Sequence, residues 1–259
     1  MEELQFPRRR RLITTAAPRC REEDIIAFAH RLGFRPDEAQ CVVLRSTAGR
    51  VILNCTRQWG KTSVSVVRAL HCALSVRGSL VVVASPGLRQ SGEWMRKAAE
   101  MIWRLGIPKR GDGYNRLSLL LPGNSRIVGL PDAETRIRGY SAPSMILIDE
   151  AARVTDKTYH ALRPMLSVGS GVLWMMSTPW GKRGFFYETW ADGGPEWCRM
   201  SVNAADCPRI AKEFLEEQRA VMGAESFRQE HMCQFTSSGT EVFNRALVEA
   251  AIDYDLEPL

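Results

Sequence analysis

No apolar run in this 259-residue chain approaches the roughly 18–20 residues that a membrane-spanning helix needs. Arg8 to Arg11 lie near the N-terminus with no apolar stretch after them, which argues against a secretory signal. None of the seven cysteines (20, 41, 55, 72, 198, 207 and 233) stands in C-x-x-C spacing, and their number is odd. That excludes a disulfide framework and the usual zinc patterns, and reads as reduced, mostly buried thiols of a cytosolic protein. The four histidines, 30, 71, 160 and 231, lack ligand spacing. There is no internal repeat and no low-complexity segment. Apolar residues make up 45% of the chain, enough for a sizeable core, and the net charge of +6 gives a mild hint of a polyanionic partner.

What is present alternates. Short apolar strands are expected at Val51–Leu53, Ser79–Ala84, Ser144–Ile148, Gly171–Met176 and Arg199–Val202. Between them, helical spacing recurs over Glu22–Leu32, Asp37–Leu44, Ser63–Ser75, Gln90–Leu105, Thr155–Leu166 (disturbed by Pro164) and from Phe185 to Trp190. Leu117–Leu121 and Ser125–Leu130 flank Pro122-Gly123-Asn124, a hairpin signal. Two amphipathic helices follow at Lys212–Met222 and Ala224–Phe235, and one more short helix is expected after Val242. Strands alternating with helices predict an α/β fold: a mainly parallel central sheet with helices on both faces. The expected division is a flexible basic arm over 1–20, a core over 21–205 and a small helical linker subdomain over 206–259.

The strand at Val51–Leu53 runs into Arg57-Gln58-Trp59-Gly60-Lys61-Thr62, and a helix follows. Gly60 lets backbone approach an anion, Lys61 brings a charge to β- and γ-phosphates, Thr62 brings a hydroxyl to Mg²⁺, and the helix N-terminus points its N–H groups at the ligand. The match to G-x-x-x-x-G-K-[ST] is imperfect, because Cys55 stands where the first Gly should be. A second half of the site is expected where Met145–Ile148 ends in Asp149 and Glu150, at the edge where an open α/β sheet binds ligands. There Asp149 would hold Mg²⁺ and Glu150 would orient and deprotonate the attacking water. Ser177 and Thr178 end the next strand and could hydrogen-bond a γ-phosphate, its water or Glu150, or form a plain turn before Pro179. Arg138 and, more weakly, Arg57 could reach a γ-phosphate as catalytic guanidinium groups, or be solvated loop charges.

This ordered set resembles the ATPase domain of the large terminase subunit of tailed bacteriophages. It rests on Arg57 to Thr62, Ile148-Asp149-Glu150-Ala151-Ala152, Ser177-Thr178-Pro179 with Gly181, the Arg138-Gly139 pair, and Phe227-Arg228-Gln229-Glu230 through Phe235. The resemblance spans about residues 30–250, and in that family the first glycine of the loop is often replaced. It implies an ASCE-type P-loop NTPase that binds ATP and Mg²⁺, with Gln40 at the adenine, Ser177 and Thr178 as a coupling segment, and Arg138 as an arginine finger acting on a neighbouring subunit. It further implies a ring of five subunits on the portal protein, working with the small terminase subunit to drive double-stranded DNA into a procapsid in the bacterial host cytoplasm. In isolation a monomer is expected. Family members usually carry a C-terminal nuclease, which would begin where this sequence stops, so ATP hydrolysis without DNA cleavage is expected. Two other readings stay open: a helicase-like or recombinase-like ASCE translocase, and a non-hydrolysing DNA-binding adaptor whose loop has decayed at Cys55. For DNA contact, Arg8–Arg11 and Lys182-Arg183 are candidates, though charge runs are usually solvated faces.

Overall fold

The structure, a computed structural model, describes residues 24–113, 116–132 and 139–236. The expected basic arm, Arg138 and the final helix lie outside them. In chain order the helices are α1 (Ile25–Arg31), α2 (Glu38–Leu44), α3 (Lys61–Ser75), α4 (Leu88–Trp103), α5 (Asp156–Leu162), α6 (Gly184–Asp192), α7 (Lys212–Val221) and α8 (Ala224–Glu230). The strands are β1 (Arg50–Cys55), β2 (Leu80–Ser85), β3 (Ser118–Leu121), β4 (Ser125–Pro131), β5 (Met145–Asp149), β6 (Val172–Ser177) and β7 (Cys198–Val202).

These strands make one sheet in the order β3-β4-β2-β5-β6-β1-β7. Every pairing is parallel except β3 with β4, the hairpin expected around Pro122. Strands buried on both faces should read as unbroken apolar runs, and Val81–Val83 and Met145–Ile148 do. Alternate residues then serve opposite layers. Val51, Leu53, Val81, Val83, Met145, Leu147, Trp174 and Met176 pack with α1, α3 and α4. Ile52, Val82, Ile146, Ile148, Leu173 and Met175 pack with Tyr159 and Leu162 of α5 and Phe185 and Phe186 of α6.

Local chemistry sets the ends of these elements. Asp37 and Gln40 form a reciprocal capping box that starts α2. Pro164 ends α5 by turning the chain into a short 3₁₀ stretch over Arg163–Leu166, as its missing N–H requires. The helix expected over Ala224–Phe235 stops at Glu230. Its last turn is drawn off by tertiary hydrogen bonds: the Ala204 N–H donates to His231 O at 2.7 Å, and Asn54 Nδ2 donates to Cys233 O at 2.7 Å. Cys233 is left in a left-handed conformation, φ 56°.

The topology places the site. β6 separates β1, which carries the phosphate loop, from β5, which carries the two acids. The C-terminal ends of all three parallel strands meet at one edge of the sheet. Cys55 to Lys61, Asp149 and Ser177 therefore converge although they stand far apart along the chain.

Candidate nucleotide site

The loop's departure at position 55 is explained by its backbone. Cys55 still belongs to β1, pairs with Val202 of β7 and is not among the residues with positive φ, so no glycine is required there. Its thiol is buried in the core, and burial pushes its pKa up to about 12. Glycine is needed at position 60 instead. Gly60 has φ 95°, and a Cβ on it would lie 2.9 Å from Gln40 Nε2. Gln58 also adopts the left-handed region, φ 62°, which costs a non-glycine residue about 1 kcal/mol and is common where backbone is shaped for a ligand.

Lys61 is 7% exposed and curls back over the loop. Its Nζ donates to Thr56 O at 3.2 Å, Cys55 O at 3.5 Å and Thr178 Oγ1 at 3.0 Å. Thr178 in turn donates to Cys55 O at 3.1 Å, and Ser177 donates to Thr178 O at 2.8 Å. The expected coupling segment thus touches the loop lysine directly.

Asp149 is 6% exposed. Burial, reinforced by the neighbouring Glu150 carboxylate, raises its pKa to about 7, against the lowering influence of Lys61, the Glu150 N–H and the Thr62 hydroxyl. A carboxylate so short of positive charge, hydrogen-bonded to Thr62, suits a divalent cation. Mg²⁺ commonly takes one carboxylate, a hydroxyl, substrate phosphates and waters rather than a protein cage. Among the described residues no cluster of three His, Cys, Asp or Glu offers such a cage.

Glu150 sits in a left-handed conformation, φ 51° and ψ 45°, at the head of a 3₁₀ turn over Ala151–Arg153. That kink lifts its side chain off the strand line. Its Oε1 lies 3.9 Å from Lys61 Nζ, and its Oε2 accepts from Arg153 at 3.2 Å.

A cavity of about 490 Å³ fills the space between these groups. Arg57, Lys61, Lys97 and Arg153 line it against one acid, Glu150. The balance favours a polyanion. Sequence reasoning misses Lys97 and Arg153. Lys97 reads as the polar face of an amphipathic helix, and Arg153 as a charge after the Asp-Glu pair; only the crossing of α4 over the loop and the 3₁₀ turn bring them in.

The other sequence candidates are placed as follows. Trp59 is wholly buried, and it is its carbonyl that meets other groups, accepting from Gln40 Nε2 at 2.6 Å and Arg209 at 2.5 Å. Gln40, 1% exposed, spends its other amide atom on the Asp37 N–H. Arg57 is exposed and pairs with Glu230 of α8 at 2.7 Å. A second cavity of about 980 Å³ adjoins Arg57 and Gln58, walled by Trp180, Ile210, Phe214 and Met222.

Residues 53–250 match the model of the family described as the terminase large subunit, T4likevirus-type, N-terminal. The large terminase subunit of Thermus phage G20c is 27% identical over 253 residues, covering 84% of this chain and 52% of the relative. This chain therefore spans about half the length of the curated relatives it matches. The large terminase ATPase domain of Thermus phage P74-26 superposes with a TM-score of 0.73 at 25% identity, over 84% of this chain and all of that one. The large terminase of another, thermophilic bacteriophage, in complex with ATP-gamma-S, shares the fold with a TM-score of 0.63 at 16% identity, over 77% of this chain and 52% of that one.

Proposed function

Because this chain belongs to the N-terminal family of T4-like large terminase subunits, we propose that it is the ATP-hydrolysing motor domain of a DNA-packaging machine. The observation that carries the reading is the convergence of Lys61, Thr62 and Glu150 on one cavity rich in cations, with buried Asp149 hydrogen-bonded to Thr62 beside it. A terminase ATPase domain that superposes over its whole length supports it, as does a terminase of the same fold with an ATP analogue bound.

In this mechanism the triphosphate enters the smaller cavity and Lys61 exchanges its carbonyl and Thr178 partners for β- and γ-phosphate oxygens. Thr62 and Asp149 would hold Mg²⁺, which supplies charge neutralisation on those oxygens. Glu150 accepts a proton from water as the water oxygen bonds to the γ-phosphorus and the bond to the β-phosphate oxygen breaks, leaving ADP and phosphate. Once Lys61 leaves Thr178, that hydroxyl keeps only its bond to Cys55 O, which gives Ser177 and Thr178 a physical route to report nucleotide state. Gln40 is 1% exposed and holds Trp59 O and the Asp37 N–H, which keeps its amide away from an adenine as the side chain stands. Its role is better read as bracing the loop, with the base in the adjoining apolar-walled cavity. Arg138 remains the proposed finger on a neighbour in a five-membered ring, with Arg57 as the alternative.

Double-stranded DNA, the portal protein and the small terminase subunit are the proposed partners, in the host cytoplasm at the procapsid. No described helix is long and apolar enough to cross a membrane. DNA cleavage is not proposed for these residues. Binding of a fluorescent ATP analogue tests the reading. Wild type should bind it with Mg²⁺, and Lys61→Ala should weaken binding at least tenfold, the loss of a charge-assisted phosphate contact. Equal binding by both proteins would refute it.

A further inference from the structure

Arg153 is held from three sides. One guanidinium nitrogen donates to Glu150 Oε2 at 3.2 Å. The other lies 3.8 Å from Glu230 Oε1 on α8. Its face stacks over the Trp180 ring, 4.4 Å from the centroid. The short 3₁₀ turn sets this up, since the Arg153 N–H donates back to Glu150 O at 2.8 Å and stacks the two side chains three residues apart. The guanidinium is about one quarter exposed and lines the phosphate cavity.

A carboxylate that must accept a proton from one water needs a fixed orientation, and a flexible glutamate has three rotatable bonds. With Oε2 taken by Arg153, Oε1 is the oxygen left facing Lys61 and the cavity. We propose that Arg153 is a positioning residue for ATP hydrolysis: it fixes the Glu150 carboxylate toward the attacking water and is itself anchored by Trp180 and Glu230. The inference rests on the ATPase reading above. It adds a link, through Arg153, from α8 to the catalytic carboxylate.

The test combines steady-state ATPase kinetics with analogue binding on wild type, Arg153→Gln, Arg153→Lys, Glu150→Gln and the double variant Glu150→Gln/Arg153→Gln. Arg153→Gln should lower kcat about tenfold or more, the scale of a misplaced catalytic group, while analogue affinity falls by less than that, about threefold, for one of four cavity cations lost. Arg153→Lys, which keeps the charge but not the fork, should fall between. The double variant should be no slower than Glu150→Gln alone, because a positioning residue has nothing to act on once its carboxylate is gone. A multiplicative further loss in the double variant would overturn the proposal. So would weakened binding of the triphosphate analogue with kcat unchanged, which would make Arg153 a phosphate ligand. Absence of turnover in wild type would instead remove the ATPase reading itself, and this inference with it.

Discussion

Residue by residue, the site is built from groups held in costly states. Gly60 tolerates its φ of 95° and leaves room for Gln40, whose amide is pinned at both ends. Gly60→Ala should therefore lower stability by about 1–3 kcal/mol through left-handed strain and a clash that Gln40 cannot easily relieve. Thermal denaturation would show it, together with loss of analogue binding. Asp149 carries the opposite signature. Its folded pKa, about 7, lies above the ordinary carboxylate value because of burial first and Glu150 second. A raised carboxyl pKa contributes stability that is present at low pH and lost as pH rises from about 4 to about 7. Asp149→Asn should thus stabilise the metal-free protein at pH 7.5, on the order of 2 kcal/mol, with the gain vanishing below pH 4. Urea denaturation at both pH values measures this; an equal effect at the two pH values would contradict it. Lys61, Thr62, Asp149 and Glu150 are legible in the sequence because each follows a local rule, strand end then loop or acid. Arg153, Lys97 and the bracing role of Gln40 are not, because their significance depends on contacts made across the fold.

Among the elements, alternation of buried strands with helices marks out most of the sheet, and Pro122-Gly123-Asn124 signals the one hairpin. Sequence periodicity overruns at α8. Nothing near residue 233 announces that Asn54, 179 positions earlier, will claim its carbonyl. The same segment reaches the loop that runs from Arg57 to Thr62. Thr56 donates to Glu230 O at 3.1 Å, Gln229 accepts from the Gly181 N–H at 2.9 Å, and Glu230 pairs with Arg57. These contacts put α8 against the phosphate loop, and a bound phosphate would compete with Glu230 for Arg57. Glu230→Gln should therefore tighten ATP-analogue binding by about threefold, a modest gain because Arg57 is largely solvated, while slowing turnover through Arg153. Unchanged affinity, measured by titration, would show that Glu230 does not compete.

At the scale of the molecule, a mostly parallel sheet gathers the proposed site at one edge, and the order β5-β6-β1 sets the strand that ends in Ser177 between the proposed phosphate loop and the strand that carries the acids. Two cavities open beside that edge, one ringed by cations and one walled by apolar side chains. Their meeting at Arg57 and Gln58 suits a molecule with a polyanionic end and an aromatic end. The sequence points to the first half of this description through a loop that lacks its usual glycine. It cannot show the second cavity, whose walls come from separate segments of the chain. The most direct test of the whole account is the rate of phosphate release from Mg·ATP by wild type and by Glu150→Gln, at concentrations and with DNA that favour a ring. The account predicts turnover in wild type and a loss of at least about 100-fold in the variant, with nucleotide still bound. Equal rates in the two proteins, or none in wild type, would contradict it.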